Sequence, residues 1–366
     1  MRHYLFPCLF LALALLPSLP PISQAATPGA KPFNPDISVN FLGLAQHGTA
    51  YSDSRTAKPR NGLSLQEAEL QVTSDVDAYF RANALFSIAQ ESGSASYGIS
   101  PEEVYLETLS LPVVTLRAGK FKMALGRHNQ LHTHTFPFID APLIHTTLLG
   151  DEGLNETGVS ASALMPTRWF SEITLQAFTL GNESLTNHYS SGDLGGLARL
   201  RNLWDLNDSL TMELGLSGAS GKNQFGKAAS VLGSDLTFKW RPAQGGKYRA
   251  LVWSTEYLYG RRPGLTQERN SVQESLERLG GLATWVQYQF AERWWAQARY
   301  EYTGLQRSEG FSPVRKESLL LGFFPSEFSG LRLQYAWTQD GARPRNDRAV
   351  ALQYNVTIGA HPAHAY

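Results

Sequence analysis

Four histidines and three acidic residues lie close together in one polar stretch between Ala124 and Asn155. They are His128, His132, His134, Asp140, His145, Asp151 and Glu152. Neutral imidazole nitrogens and carboxylate oxygens that converge on one point can bind Zn²⁺, Cu²⁺ or Ni²⁺. Spacing alone does not show convergence in a loop. The sequence therefore leaves two predictions open: a metal site at His128, His132 and His134, or a hydrogen-bonded cluster without metal.

A second set of charged side chains lies in segments where apolar and polar residues alternate. Leu331, Leu333 and Tyr335 fall on one face of such a segment, whereas Arg332 and Gln334 fall on the other. Because successive strand side chains point to opposite faces, each segment has one apolar and one polar wall. The charged residues assigned to the polar wall are Glu67, Glu69, Arg81, Arg117, Arg199, Arg201, Glu213, Asp235, Lys239, Arg299, Glu301 and Arg332.

The lengths of these segments favour strands that cross a membrane over strands of a soluble sandwich. The segments run about 10 to 12 residues, as a tilted membrane strand requires, whereas soluble strands average about 5 or 6. Aromatic residues such as Trp169, Trp240 and Trp294 lie at segment ends, where they would form interfacial girdles. The connections between segments are predicted to alternate strictly between short and long.

Sixteen strands are predicted, from Asp36–Gln46 at the start to Arg348–Gly359 at the end. An even number is typical of single-chain bacterial barrels. Closure of the barrel removes the sheet edges, whose unpaired backbone N–H and C=O groups could not form hydrogen bonds with lipid. The predicted fold class is therefore all-β, a transmembrane antiparallel β-barrel of about 16 strands. Barrels of this size leave an aqueous lumen, which favours a channel. Charges of mixed sign suit its wall, although structural salt bridges explain the same residues equally well.

The first residues resemble a targeting signal rather than part of the barrel. Arg2 and His3 precede a short apolar run, and Ser23-Gln24-Ala25 gives a cleavage site after Ala25. The predicted organisation is a signal peptide at 1–25, a short lead at 26–35 and the barrel at 36–366. The single cysteine, Cys8, lies in the signal, so the mature chain is expected to have neither a disulfide nor a lipid anchor.

The stretch around the histidines resembles a known family. Gly119-Lys120-Phe121, Gly126-Arg127, Pro142-Leu143 and residues 149–154 look like the loop region of porin-like outer-membrane proteins, which are similar to phosphate-selective porins and to proteins labelled zinc-regulated outer-membrane proteins. The resemblance implies a porin-type barrel. In general porins the third outward loop folds into the lumen and narrows it. Residues 124–155 form the third outward connection here, so the resemblance implies an in-folded third extracellular loop with the histidines and acids at the constriction.

These observations predict an outer-membrane channel for passive diffusion of small hydrophilic solutes or ions. A hydrolase remains an alternative, although no serine motif accompanies the histidines, and a surface-binding barrel without a channel is another. No enzymatic activity and no cofactor are expected, apart from the open option of a divalent metal such as zinc.

The expected partners are outer-membrane lipid, the barrel-assembly machinery and small solutes or ions, with no nucleic acid. A homotrimer is one option for the oligomeric state. Protonation of several loop histidines between pH 7.5 and 5.5 is expected to shift selectivity toward anions.

Overall fold

The structure is a computed structural model that describes residues 35–49, 61–90, 96–187, 192–244, 248–268 and 271–359. The predicted signal at 1–25 and the final residues through Tyr366 lie outside this part. The strands are β1 Asp36–Gly48, β2 Gly62–Asp75, β3 Phe80–Gln90, β4 Tyr97–Thr108, β5 Val114–Lys122, β6 Asn155–Leu164, β7 Phe170–Phe178, β8 Gly181–Asn182, β9 Thr186–Asn187, β10 Gly195–Asn207, β11 Leu210–Lys222, β12 Ala228–Trp240, β13 Ala250–Glu268, β14 Ser271–Ala291, β15 Trp294–Leu305, β16 Val314–Ser326, β17 Ser329–Asp340 and β18 Asp347–Gly359. One short helix, α1, spans Leu143–Leu149, and two 3₁₀ turns span His128–Gln130 and Thr133–Thr135.

Sixteen of these strands form one closed antiparallel barrel, in which β1 pairs with both β2 and β18. The short strands β8 and β9 make a separate hairpin. The prediction of a sixteen-stranded antiparallel barrel is thus confirmed. Apart from the β1–β18 pair that closes the barrel, each barrel strand pairs with the barrel strand before and after it along the chain, and the β8–β9 hairpin lies between β7 and β10 in the sequence. Within the described residues, no helix is long and apolar enough to cross a membrane.

The barrel is apolar on its outer face and polar on its inner face. On β17, Leu331, Leu333 and Tyr335 are 39–48% exposed, whereas Arg332 and Gln334 between them are 4% and 5% exposed. This distribution is the reverse of a soluble protein, in which exposed side chains are mostly polar. It matches a barrel whose outer surface faces lipid, and it agrees with the predicted strand faces.

Aromatic pairs lie at the end of the barrel that carries the short turns. Trp169 stacks with Trp204 at a ring-centroid distance of 6.1 Å, and Trp294 packs on Phe323 at 4.7 Å. All four residues lie within a few positions of a strand end. Large amphipathic rings at this level are typical of a membrane interface.

The prediction that short and long connections alternate strictly is wrong on one side of the barrel. Where the alternation requires a long connection, residues 260–268 and 271–279 instead continue β13 and β14 as paired strands, from Ala250–Gln289 to Glu268–Ser271. Conversely, the connection between β12 and β13, residues 241–249, is longer than the connection between β11 and β12, residues 223–227. Polar residues and glycines form the extended parts of β13 and β14 because strand pairing satisfies their backbone N–H and C=O groups. These parts lie outside the apolar band of the barrel, so their side chains need not alternate between apolar and polar.

Candidate functional site

Residues 123–154, between β5 and β6, contain all seven of the predicted loop residues, and we call them the 123–154 segment. Asn129 holds its two ends together. The Asn129 side-chain amide donates to the carbonyls of Met123 and Leu154 at 2.8 and 3.0 Å, and its oxygen accepts from the Leu154 N–H at 2.8 Å. Asn129 is 5% exposed. A buried amide that uses donor and acceptor in this way fixes both ends of a loop in one geometry.

The segment makes hydrogen bonds with inward-facing side chains on many strands of the barrel. Its backbone N–H groups donate to Gln176 on β7, Ser217 on β11, Glu256 on β13, Glu301 on β15 and Gln334 on β17. Its backbone carbonyls accept from Gln66 on β2 and Arg332 on β17. The inner wall thus supplies partners for backbone groups that strand pairing does not satisfy.

Glycines in the wall make room for the helix of this segment. A Cβ added at Gly260 would lie 2.6 Å from Leu148, and one added at Gly281 would lie 2.6 Å from Ile144. Leu148 and Ile144 are 0% and 1% exposed and belong to an apolar cluster that includes wall residues such as Leu258. An apolar cluster on the inner face is unusual for a wall that is otherwise polar. It shows that α1 packs against β13 and β14.

The first polar cluster surrounds Glu256, which is fully buried. Its carboxylate accepts from the N–H groups of Arg127 and His128, both at 3.1 Å, and contacts His145 Nε2 at 3.2 Å. The His128 ring packs on His145 and on Phe136, at centroid distances of 4.9 and 4.4 Å. Burial lowers the pKa of His128 well below its usual 6.5, and His145 lowers it further. His128 is therefore neutral at physiological pH.

The second polar cluster links Asp140 of the segment to the wall. Arg299 donates to both Asp140 carboxylate oxygens and to the Asp140 carbonyl, each at 2.9 Å. Lys316 and Gln334 also donate to this carboxylate. Burial raises the pKa of Asp140, but the cationic groups of Arg299 and Lys316 outweigh it and lower the pKa below its usual value. Glu301 completes the network, with its Oε2 3.2 Å from Arg299 Nε.

The third cluster brings two histidines of the segment to β2 and β4. His132 Nδ1 lies 2.8 Å from Glu102 Oε2, and His132 Nε2 lies 3.3 Å from Glu103 Oε2. His134 Nδ1 forms an ion pair with Glu69. Burial lowers the pKa of His132, but hydrogen bonds with Glu102 and Glu103 outweigh it and raise the pKa to about 10. An imidazolium between two carboxylates is the result.

The structure separates one of the three predicted metal ligands, His128, from the other two, His132 and His134. His132 joins Glu69 and Glu102, whose ligand atoms all lie within 4.8 Å of one another. His128 belongs to the Glu256 cluster instead. Among the described residues, the predicted trio of His128, His132 and His134 does not converge on one point. His132 and His134 reach the acids of β2 and β4 and stack on each other, whereas His128, four positions before His132, lies beside Glu256 and His145.

The predicted wall residues fall into two groups by exposure. Arg199, Asp235, Arg299, Glu301 and Arg332 are all at most 4% exposed, and Glu67 and Glu69 are also buried. Arg199 pairs with Asp235 across Gly215, where no Cβ would fit between them. Toward the short-turn end, the side chains of Arg81, Arg117 and Glu213 are 47%, 32% and 13% exposed, and Arg201 and Lys239 are half-buried. Several of the predicted wall charges are therefore structural, and only the second group is open to solvent.

Asp151 and Glu152 are exposed in the turn that follows α1 and belong to none of the three clusters. Sequence reasoning missed Glu102, Glu103 and Glu256 as site residues. Glu102 lies in β4 at a β-bulge, where Leu85 pairs with Glu103 and Phe86 with Pro101. A proline followed by two acids in an alternating segment is a signal for a bulge, because prolines in sheets occur at edges or bulges.

No family model matches this chain. An uncharacterized protein of Aquifex aeolicus (strain VF5) is 27% identical over 397 residues, which cover 96% of this chain and 80% of that protein.

Solved barrels from outer membranes share the fold. The outer-membrane channel DcaP of Acinetobacter baumannii is 11% identical, with a TM-score of 0.59 over 89% of this chain and 97% of that chain. The anion-selective porin from Comamonas acidovorans is 11% identical, with a TM-score of 0.55 over 88% and 98%. Outer-membrane expressed OmpT of Vibrio cholerae is 9% identical, with a TM-score of 0.56 over 88% and 97%. At these identities the likeness establishes the fold, which is that of outer-membrane porin barrels.

Proposed function

We propose that this protein is a porin-like channel of a bacterial outer membrane, through which small hydrophilic solutes or ions diffuse passively. One observation carries the proposal: a closed barrel of sixteen strands has an apolar outer face and a polar inner face. A barrel of that size encloses more space than its own wall side chains fill. The apolar outer face requires lipid around it, and the polar inner face requires water or polar partners.

The 123–154 segment is the part of the chain that sets the width of the proposed pore. Its hydrogen bonds reach strands on opposite sides of the barrel, from β2 to β11 and β17. Side chains at this level, such as Glu256 and Glu301, are at most 1% exposed. The free passage is therefore narrow at mid-barrel and wider toward the short-turn end, where Arg117 and Arg201 are accessible. We expect small conductance and a low size limit for solutes.

Single-channel recording in planar bilayers tests this proposal. The purified mature chain should conduct in discrete steps, and liposome swelling should fall off sharply with the size of an added sugar. Empty liposomes provide the baseline. A folded barrel that shows no conductance over a range of voltages and salt concentrations, and no swelling with any sugar, contradicts the channel and leaves a binding barrel as the better explanation.

Charge on the open part of the wall should influence which ions pass. Lys239 is half-buried on the inner wall of β12, whereas Lys222 lies at the opposite end of β11 and pairs with Asp193 at 2.8 Å. Lys239→Gln should shift the reversal potential in a salt gradient toward cation selectivity, because it removes a positive charge from the passage. Lys222→Gln is the matched control and should shift the potential less. An equal shift in both variants contradicts this assignment of the inner wall.

We further propose that the barrel assembles as a homotrimer in outer-membrane lipid after insertion by the barrel-assembly machinery. The support is the fold, which is shared with a Vibrio cholerae OmpT structure described as a trimer form. Native mass spectrometry in mild detergent tests it. A mass of one chain under conditions that preserve a known porin trimer contradicts the proposal.

A further inference from the structure

A cluster of metal-ligating side chains lies where the 123–154 segment meets β2 and β4. Glu69, Glu102 and His132 each offer one ligand atom, and these atoms lie within 4.8 Å of one another. The three residues come from β2, β4 and the segment, so their convergence is a product of the fold rather than of sequence spacing. His134 extends the cluster, because its Nδ1 pairs with Glu69 and its ring stacks on His132 at a centroid distance of 6.1 Å.

A β-bulge in β4 turns an additional carboxylate into this cluster. Strand alternation would place Glu102 and Glu103 on opposite faces of the barrel. Glu102 is instead the extra residue of the bulge, and the two glutamates are 5% and 9% exposed while Val104 after them is 42% exposed. Bulges commonly re-aim a side chain at a functional site. A bulge in β2 acts at the same level, where Leu42 pairs with Glu67 and Gly43 with Leu65.

The cluster concentrates negative charge in a buried place. Glu67, Glu69, Glu102 and Glu103 are 7%, 3%, 5% and 9% exposed. Among the described residues, Lys122 also contacts the cluster, with its Nζ 3.7 Å from Glu102 Oε1. Buried carboxylates need positive charge nearby, because an uncompensated buried charge is costly, and without a metal ion the His132 imidazolium between Glu102 and Glu103 provides part of it. A divalent cation can supply that charge and leave the imidazoles as neutral nitrogen ligands.

Neighbouring groups hold the carboxylates in place. The Lys122 N–H donates to Glu103 Oε1 at 3.0 Å, and the side chains of Thr133 and Ser87 hydrogen bond the Glu67 carboxylate. Asn155 donates to the Glu102 carbonyl at 2.9 Å, which fixes the backbone of the bulge. Such outer partners orient ligands in protein metal sites.

The donor set selects the kind of metal. Imidazole nitrogens with carboxylate oxygens suit Zn²⁺ and the neighbouring first-row ions, whereas Ca²⁺ and Mg²⁺ take oxygen ligands only. No thiol is available, since the one cysteine is Cys8. Zinc ligands lie about 2.0 to 2.2 Å from the ion, so side-chain rotations that draw the three atoms together by about an ångström would complete the site.

We propose that Glu69, Glu102 and His132, with His134 as a fourth ligand, form a binding site for a divalent transition-metal ion, for which Zn²⁺ is the best match. The bound ion would cross-link the 123–154 segment to β2 and β4. The proposal does not depend on conductance, because it rests on the convergence and burial of these side chains alone.

Equilibrium dialysis with elemental analysis tests the site in the folded mature chain in detergent, after treatment with EDTA. His361 and His364, outside the described residues, are replaced by alanine in all samples to remove imidazoles near the chain end. At pH 7.5 the protein should bind one Zn²⁺ per chain, and tenfold excess Ca²⁺ should not displace it. Glu102→Gln and His132→Gln should each weaken binding at least tenfold. X-ray absorption of the zinc-loaded protein should show nitrogen and oxygen ligands only.

His128→Gln and Glu152→Gln are the matched controls in the same segment and should leave zinc affinity unchanged. Heat-modifiable mobility on gels verifies that each variant is folded, and Glu69→Gln replaces any ligand variant that does not fold. The proposal is overturned if the parent binds no stoichiometric zinc. It is also overturned if folded ligand variants bind as tightly as the parent, or if His128→Gln weakens binding as much as His132→Gln. A channel that conducts without binding zinc would contradict this site and leave the proposed function intact.

Discussion

Replacing Arg299 with methionine should release the 123–154 segment from the barrel wall. Arg299 lies on β15 and is 4% exposed. Its guanidinium makes three hydrogen bonds to Asp140, an ion pair with Glu301, and a cation–π contact with Phe138 at 4.4 Å. Methionine keeps most of the aliphatic volume but provides none of these contacts. The variant therefore removes the anchor with little change in packing.

The size of the effect follows from which partners remain. Removing one partner of a buried ion pair costs about 3 to 5 kcal/mol, because the other charge stays buried. The Asp140 side chain is 36% exposed and keeps Lys316 and Gln334, so its share of the cost is reduced by solvent screening. Glu301 is 1% exposed. Its remaining partners are the Leu143 N–H, which donates to its carboxylate, and Lys316, whose Nζ lies 3.8 Å from Glu301 Oε2. We place the total near the lower limit, at about 3 kcal/mol.

This free-energy cost destabilises the state in which the 123–154 segment is docked on the wall. The undocked state does not carry the cost, because Glu301 is solvated once the segment has left the wall. A change of about 3 kcal/mol corresponds to roughly a hundredfold larger undocked population. Hydrogen exchange measures it directly at the N–H groups of Ile139 and Leu143, which donate to Gln334 and Glu301. Their protection factors should fall about a hundredfold in Arg299→Met, while those of strand amides stay unchanged.

Arg81→Met is the matched control for this measurement. The pair of Arg81 with Asp75 has the same chemistry at 2.7 Å, but the two side chains are 47% and 55% exposed. Exposed pairs contribute about 0 to 1 kcal/mol, so Ile139 and Leu143 should exchange as in the parent. Protection within threefold of the parent in Arg299→Met, or an equal loss in both variants, would refute the anchoring role of this network.

Three further predictions follow from the same geometry. Gly126→Ala should undock the segment and raise channel conductance, because a Cβ there would lie 1.8 Å from the Glu256 carboxylate; Gly310→Ala, also at positive φ but with open space around it, is the control, and similar conductance in both would contradict the close approach. Leu214→Arg should reduce folding yield far more than Glu213→Gln, because arginine facing lipid near the midplane costs about 2 to 4 kcal/mol; equal yields would show that the two faces are assigned wrongly. In metal-free protein, the selectivity change between pH 7.5 and 5.5 should not depend on His128 or His132, since His128 stays neutral and His132, with a pKa of about 10, stays protonated. The stabilisation of the segment by the His132 charge is complete below the unfolded pKa of about 6.5 and is lost as pH rises through about 10. Hydrogen exchange near His132 should therefore accelerate between these two pH values. An unchanged rate there, or a selectivity change that disappears in His128→Gln and His132→Gln, would count against these assignments.

The last of these predictions replaces the expectation that acid charges several loop histidines at once. That expectation treated each imidazole as if it were in water, with a pKa near 6.5. In the folded protein, burial beside His145 and Phe136 keeps His128 neutral, whereas Glu102 and Glu103 keep His132 charged. Neighbours along the chain do not reveal either environment.

The barrel fold can be predicted from the amino-acid sequence. Alternation of apolar and polar residues, as in Leu331 to Tyr335, depends only on the strand period, and segments of about ten such residues are longer than most soluble strands and long enough to cross a membrane. Thirteen of the sixteen barrel strands are predicted within a few residues of their observed positions, and the exceptions are β4, β13 and β14. Those three extend where backbone pairing continues past the alternating pattern.

The contacts between charged residues, in contrast, depend on the tertiary structure. Glu69, Glu102 and His132 are far apart in the sequence, and Glu102 faces inward because a bulge in β4 shifts the register. Glu256 receives the N–H groups of Arg127 and His128 because Gly126 lets the segment approach β13 closely. A local pattern records the face on which a side chain lies. The partner that it meets across a barrel depends on strand register and loop path, which are fixed only when the whole barrel closes.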